Sequence, residues 1–110
     1  MDAVFIELPP FERVRLDYLS DDDYRTLQTA LMNNPTVGDV IQQTGGLRKM
    51  RFSEAKTGKG KRSGVRVIYY WWVERFQFLL FTIYSKGEMS DLTHSQRKIL
   101  SNLLKSRKSE

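Results

Sequence analysis

The chain has 110 residues, no cysteine, 40% apolar and 28% charged residues, and a net charge of +5. These values predict a single domain over residues 1–110 that buries a core without disulfides or thiolate metal sites. No apolar run approaches the roughly 18 residues of a membrane span, and the start of the chain lacks the basic and apolar regions of a signal peptide. We therefore expect a cytoplasmic protein with no membrane partner.

The charge is divided unevenly along the chain. Residues 1–44 carry three basic and eight acidic side chains, whereas residues 45–110 carry 15 basic and five acidic ones. Blocks of opposite sign are typical of an interaction surface, and nucleic acid is the commonest polyanion that a basic surface binds. The alternative is a basic half that serves only solubility.

The N-terminal part of the chain predicts a strand followed by two helices. Residues 3–8 favour a strand that ends at two prolines. Apolar residues recur at helical spacing over residues 11–19. Ser20 then caps a second helix, whose first turn places three aspartates, Asp21–Asp23, at the positive end of the helix dipole. This cap explains the acidic run better than a metal site does, and the helix ends near residues 33–35.

The C-terminal part predicts three strands and a helix. Residues 47–52 and 78–84 lie on either side of the strongest strand signal, residues 65–73, which is apolar on both faces and therefore central in a sheet. A final helix begins at Ser90 or Thr93. The order of elements predicts a small α+β fold, with a mainly antiparallel sheet, two N-terminal helices and a C-terminal helix.

Cations are concentrated at the start of these strands. Lys49 and Arg51 lie about 7 Å apart on one face of their strand, because side chains alternate with period two. Arg66 opens the next strand and comes near both if the two strands pair. Such a cluster repels itself unless an anion lies between its members. The connecting residues 53–64 are rich in glycine and lysine and predict an exposed loop that can follow phosphates, although a solvated basic face is the alternative.

The sequence lacks the residue sets of common nucleases. His94 is the one histidine, which excludes a two-histidine acid–base pair, and the carboxylates of the basic half are scattered. Residues 58–64 have neither the spacing nor the context of a phosphate-binding loop. Catalysis would therefore use cations, with no metal and no cofactor. Cations alone can stabilise the attack of an RNA 2′-OH on the neighbouring phosphate.

Three segments carry a resemblance to a known family. They are residues 46–51 (GLRKMR), residues 64–70 (GVRVIYY) and residues 82–92 (TIYSKGEMSDL). In these segments the sequence resembles the RelE superfamily of bacterial toxins, and within it the HigB toxins that pair with HigA antitoxins. The resemblance covers most of the chain and implies the RelE-like fold.

The resemblance also implies a function. Toxins of this superfamily enter the ribosomal A site and cleave mRNA there, which inhibits translation. The expected enzyme is a metal-independent endoribonuclease that leaves a 2′,3′-cyclic phosphate. The implied partners are the ribosome, mRNA and a HigA-like helix-turn-helix antitoxin, through which the toxin reaches operator DNA indirectly.

Site residues follow from the same resemblance, position by position. The expected catalytic residues are Lys49, Arg51, Arg66 and His94. The expected RNA-binding residues follow instead from the basic charge of this half of the chain, and they are Arg48, Lys56, Lys59, Lys61, Arg62 and Lys86. Two positions depart from the RelE pattern, since Gly87 stands where RelE has an arginine and Thr93 where it has a tyrosine. His94, beside the second of these, is a candidate acid or an exposed first-turn residue.

Two further hypotheses compete with a toxin. The two departures are compatible with a non-catalytic RNA- or ribosome-binding module on the same scaffold. The other hypothesis is a plain interaction protein, in which the aromatic run of residues 69–72 stacks on bases. The place of this run in a central strand favours core packing instead.

Overall fold

The protein is described by a computed structural model that covers residues 2–52 and 64–109. The strands are β1 (Val4–Glu7), β2 (Asp39–Val40), β3 (Arg48–Phe52), β4 (Val65–Trp72) and β5 (Gln77–Ser85). The helices are α1 (Pro9–Tyr18), α2 (Asp21–Asn33) and α3 (His94–Lys108), with a 3₁₀ turn at Val73–Arg75. The predicted α+β fold with two N-terminal helices and a C-terminal helix is confirmed. No helix of the described residues has the length and apolar character to cross a membrane.

The helix starts follow the local sequence. The Ser20 hydroxyl accepts a hydrogen bond from the Asp23 N–H at 3.0 Å, which confirms the predicted cap. Thr93 and Gln96 form the reciprocal pair of a capping box, so α3 begins after Thr93. Helix α1 begins at Pro9, earlier than predicted. Proline is tolerated there because it lacks an N–H, and the N–H groups of the first turn make no hydrogen bond within the helix.

The five strands form one sheet in the order β1-β5-β4-β3-β2. Strand β4 is central, as its two-sided apolar pattern predicts. The pairs β2–β3, β3–β4 and β4–β5 are antiparallel, whereas β1 pairs with β5 in parallel. That parallel pair is possible because the helices and the other strands separate β1 from β5 and form the long crossover it requires.

Each face of the sheet packs against helices. The face under α1 and α2 holds one apolar cluster, which includes Phe11, Leu27, Leu31, Tyr69, Phe78 and Leu80. The face under α3 holds a second, which includes Leu47, Ile68, Phe81, Leu100 and Leu104. Tyr69 and Trp72 are buried in these clusters and Tyr70 and Trp71 are partly buried against them, which confirms core packing for the two ends of the aromatic run.

Strand β5 contains a bulge opposite Ile68 and Tyr69. Ile68 pairs with Thr82 but Tyr69 pairs with Leu80, so β5 carries one extra residue there. An extra residue reverses the alternation of the side chains that follow it. As a result, Tyr84 lies on the α3 side of the sheet instead of the α1–α2 side.

Candidate nucleic-acid interface

Three cations meet on the α3 side of strands β3 and β4. Arg51 lies directly opposite Arg66 in the strand register, and Lys49 occupies the same face two residues away. This arrangement confirms the predicted proximity of the three side chains. Arg66 is only 8% exposed, Lys49 is half-buried and Arg51 is open to solvent. The cluster therefore extends from the protein interior to its surface.

The electrostatics of this cluster favour an anion. Like charges directly opposite each other destabilise a sheet, and Arg51 and Arg66 form such a pair. Among the ion pairs that join described residues, none includes either arginine. A bound phosphate would relieve this repulsion, because an arginine fork matches phosphate oxygens well.

Asp91 and Arg97 belong to the same region, although the sequence did not reveal them. The Asp91 carboxylate contacts the Lys49 Nζ at 3.4 Å and the Arg97 Nη2 at 3.3 Å, and it accepts the Leu92 N–H at 2.8 Å. Partial burial opposes ionisation of Asp91, but the Leu92 hydrogen bond and the Lys49 and Arg97 charges together lower its pKa. Asp91 is therefore an anion that bridges the sheet cations to helix α3.

Tyr84 is a third residue of this region that the sequence did not reveal. It pairs with Arg66 in the strand register and is only 4% exposed. Its hydroxyl is buried, and no group in residues 2–52 and 64–109 forms a hydrogen bond with it. Burial and the nearby Asp91 raise the pKa of Tyr84, against the opposing effect of Arg66 and Arg97. The phenol thus remains protonated at neutral pH and is an available hydrogen-bond donor.

Two concavities adjoin one another beside this cluster. The first, of about 270 Å³, is lined by Asp39, Val40, Ile41, Gln42, Lys49, Asp91 and Arg97. The second, of about 310 Å³, is lined by Gln43, His94, Arg97, Lys98, Ser101, Asn102 and Lys105. Arg97 belongs to both, so a basic groove leads from the sheet cations along α3.

Of the other predicted site residues, the structure describes His94, Arg48 and Lys86, and none of these three lines the first concavity. His94 is exposed in the first turn of α3 and lines the second concavity, whose lining does not include Lys49. Arg48 donates to the carbonyl of Gly38 at 2.7 Å, and Lys86 is exposed in the turn after β5. Four expected RNA-binding residues lie outside the described residues: Lys56, Lys59, Lys61 and Arg62.

The chemistry available at the cluster is that of preorganised positive charge. In residues 2–52 and 64–109, no group of three or more His, Asp or Glu side chains is placed to hold a metal ion. Lysine and arginine side chains can stabilise negative charge that develops on phosphoryl oxygens, and they can hold a phosphodiester for in-line attack. The geometry is thus suited to binding and cleaving a phosphodiester.

A separate set of hydrogen bonds holds the turn that connects β5 to α3. The Tyr18 hydroxyl donates to the Glu88 carboxylate, which also accepts from the Ser85 hydroxyl at 2.9 Å. The Tyr18 bond and the Ser85 bonds lower the pKa of Glu88, while burial and the carboxylate raise the pKa of Tyr18 to about 12. Helix α1 thereby fixes the segment that leads to Asp91.

We expect a Tyr18→Phe variant to lose stability at neutral pH but not in acid. A carboxylate whose folded pKa is lowered stabilises the fold above its unfolded pKa, and that contribution is lost as pH falls through the folded value. Melting temperatures of wild type and variant, measured from neutral pH downward, should therefore converge. The melting temperature of a Glu88→Gln variant should also converge with these two at acid pH. A gap that stays constant over the whole pH range would contradict this role of Glu88.

Comparison with solved structures identifies the architecture. The arrangement of three helices on a five-stranded mixed sheet is the RelE-like fold. The protein is similar to an alanine double mutant of the E. coli toxin RelE in the free state, with a TM-score of 0.56, 10% sequence identity, and coverage of 82% of this chain and 90% of that one. No family model matches the sequence. At this identity the likeness concerns the fold.

Proposed function

We propose that the protein is the toxin of a type II toxin–antitoxin pair and a member of the RelE superfamily, in its HigB branch. Its activity is ribosome-dependent cleavage of mRNA in the A site. Its partners are the ribosome, mRNA and a HigA-like helix-turn-helix antitoxin, which also links it to operator DNA. The proposal combines the RelE-like fold with the sequence motifs and the cationic cluster.

The observation that carries the proposal is the nearly buried Arg66 opposite Arg51. A buried guanidinium is costly unless an anion compensates it, and among described residues no ion pair does so. We assign Arg66 to the scissile phosphate, with Lys49 and Arg51 beside it. These cations would stabilise the charge that forms when the RNA 2′-OH attacks the phosphate and the 5′-oxygen leaves.

Helix α3 offers a surface for the rest of the RNA. Five of its 15 residues are lysine or arginine, and none is acidic. The groove lined by Arg97, Lys98 and Lys105 begins at the sheet cluster and follows this helix. Contacts to the phosphate backbone give affinity without sequence preference, so this surface would hold RNA without reading its bases.

The proposal of ribosome dependence rests on the limits of what the cluster can do alone. His94 lies outside the first concavity, and the sequence has no other histidine. The cluster therefore holds no pair of imidazoles for acid–base catalysis. Positioning can supply a large share of the barrier reduction in such a transfer. We therefore assign to the ribosome the task of holding the mRNA in line for attack.

The test is an mRNA cleavage assay with purified components. We expect the protein to leave naked mRNA intact, with or without EDTA, and to cut it at defined positions when translating ribosomes are added. The new ends should carry a 2′,3′-cyclic phosphate. An Arg75→Ala variant is the matched control, because Arg75 is exposed and stacks over Trp72, at the far end of β4.

Two outcomes would overturn the proposal. Efficient cutting of naked RNA that EDTA stops would indicate a metal nuclease. Binding to ribosomes without cleavage or growth arrest would favour the non-catalytic module, for which Gly87 and Thr93, at the positions of two RelE side chains, are the supporting observation.

A further inference from the structure

Two buried donors beside the cationic cluster have no hydrogen-bond partner among the described residues. They are the Tyr84 hydroxyl and the Nε of Arg97. An unsatisfied buried donor carries a free-energy cost, so folded proteins retain few of them, and a bound water, ion or ligand is a common reason for one. Both side chains interact electrostatically with Asp91, so one larger anion in its place can accept from both.

Both donors lie near Asp91, but its carboxylate is already engaged. One of its oxygens accepts from Leu92 and contacts Lys49, and the other contacts Arg97 through Nη2. A carboxylate has two oxygens in one plane. A phosphate is tetrahedral and larger, so it can accept from donors on more sides than Asp91 does.

We propose that Lys49, Tyr84 and Arg97 form a phosphate-binding subsite, in which the Asp91 carboxylate is the resident anion of the free protein. A phosphate of the bound RNA displaces this carboxylate and accepts hydrogen bonds from the Tyr84 O–H and the Arg97 Nε–H. The proposal rests on the proposed function for RNA as the source of the phosphate. Binding of phosphate itself does not depend on that function.

The contacts of Asp91 are suited to displacement. Its two ion-pair distances, 3.3 and 3.4 Å, are long for charge-assisted hydrogen bonds, and its side chain is 46% exposed. Exposed ion pairs of this kind are weak, so breaking them costs little free energy when an incoming anion takes the place of Asp91. Asp91 lies just before helix α3, where it can turn outward without disturbing the sheet.

The test measures binding of inorganic phosphate to the isolated protein by calorimetry, at constant ionic strength. Tyr84→Phe removes one oxygen and should weaken binding about tenfold to a hundredfold, as expected for a hydrogen bond to a charged group. It should not lower the melting temperature, because the lost hydroxyl has no partner among the described residues.

Asp91→Asn should have the opposite effect and tighten phosphate binding, because the competing anion is removed.

Tyr69→Phe is the matched control. The Tyr69 hydroxyl donates to the carbonyl of Pro35 at 2.8 Å and accepts the N–H of Gly38 at 3.0 Å. This variant should therefore melt at a lower temperature but bind phosphate as tightly as wild type does.

Three results would overturn the subsite. They are no detectable phosphate binding by the wild type, equal binding by Tyr84→Phe, and weaker binding by Asp91→Asn. A non-cleavable RNA oligonucleotide provides the remaining arm, and unchanged RNA affinity in Tyr84→Phe would reject RNA as the source of the phosphate. If the wild type shows no ribosome-dependent cleavage, the proposed function is rejected instead. That result leaves the subsite untouched, because phosphate binding is measured without ribosomes.

Discussion

An Arg66→Ala variant should fold and lose mRNA cleavage. In the proposed function the guanidinium faces the reacting phosphate, and removal of one such donor raises the reaction barrier by about 2–4 kcal/mol, a loss of roughly thirtyfold to a thousandfold in rate. Little stability should be lost, because the change also relieves the repulsion between Arg66 and Arg51. Primer extension on ribosome-bound mRNA measures the rate, and thermal melting measures the fold.

The comparison variants separate charge from geometry. Arg66→Lys keeps the charge but loses the planar fork, so it should retain only part of the activity. Arg75→Ala removes an exposed arginine far from the cluster and should cleave normally. Lys49→Ala and Arg51→Ala should each lower cleavage as well. Wild-type rates in Arg66→Ala, at equal protein concentration, would reject the cationic site.

The largest loss of stability is expected for Phe78→Ala. Phe78 is fully buried and stacks on Phe5 and Trp71, with ring centroids 4.8 and 4.4 Å away. Truncation of a buried phenylalanine to alanine costs about 3–5 kcal/mol, which is a large part of the total stability of about 5–15 kcal/mol typical of a domain. Chemical denaturation should show this loss as a lower midpoint with an unchanged slope.

A surface truncation provides the reference for this change. Ile99 is exposed on α3, so Ile99→Ala removes an apolar side chain without opening a cavity and should change the stability by less than about 0.5 kcal/mol. If Phe78→Ala unfolds at the same denaturant concentration as Ile99→Ala, the stacked cluster does not hold β1 and β4 to β5.

Much of the fold could be predicted from local sequence signals. The caps at Ser20 and Thr93 and the apolar run of β4 each act over a few residues, and each predicted element formed. The parallel pairing of β1 with β5 gives no such signal, because it depends on which sheet edge remains free after the hairpins have formed.

The site was predictable where it depends on strand alternation. Lys49, Arg51 and Arg66 share a face by the period of two and by antiparallel pairing. Tyr84 was not predictable, because the bulge reverses the alternation in β5 and nothing in the local residues specifies a bulge. Asp91 and Arg97 reach the cluster only through the docking of α3, which is a tertiary contact.

The parallel pairing of β1 with β5 has a consequence for the order in which the chain can fold during synthesis. Strand β1 emerges first, but its partner emerges only after all the other strands. Helix α1 also packs on β5 and must wait for the same segment. Distant pairings of this kind slow folding, since their loop-closure entropy is lost before any contact compensates it. The antiparallel strands β3, β4 and β5, of which β3 and β4 carry the cationic cluster, can pair with near neighbours first. We therefore expect the N-terminal segment to join a sheet whose cation-bearing strands are already paired.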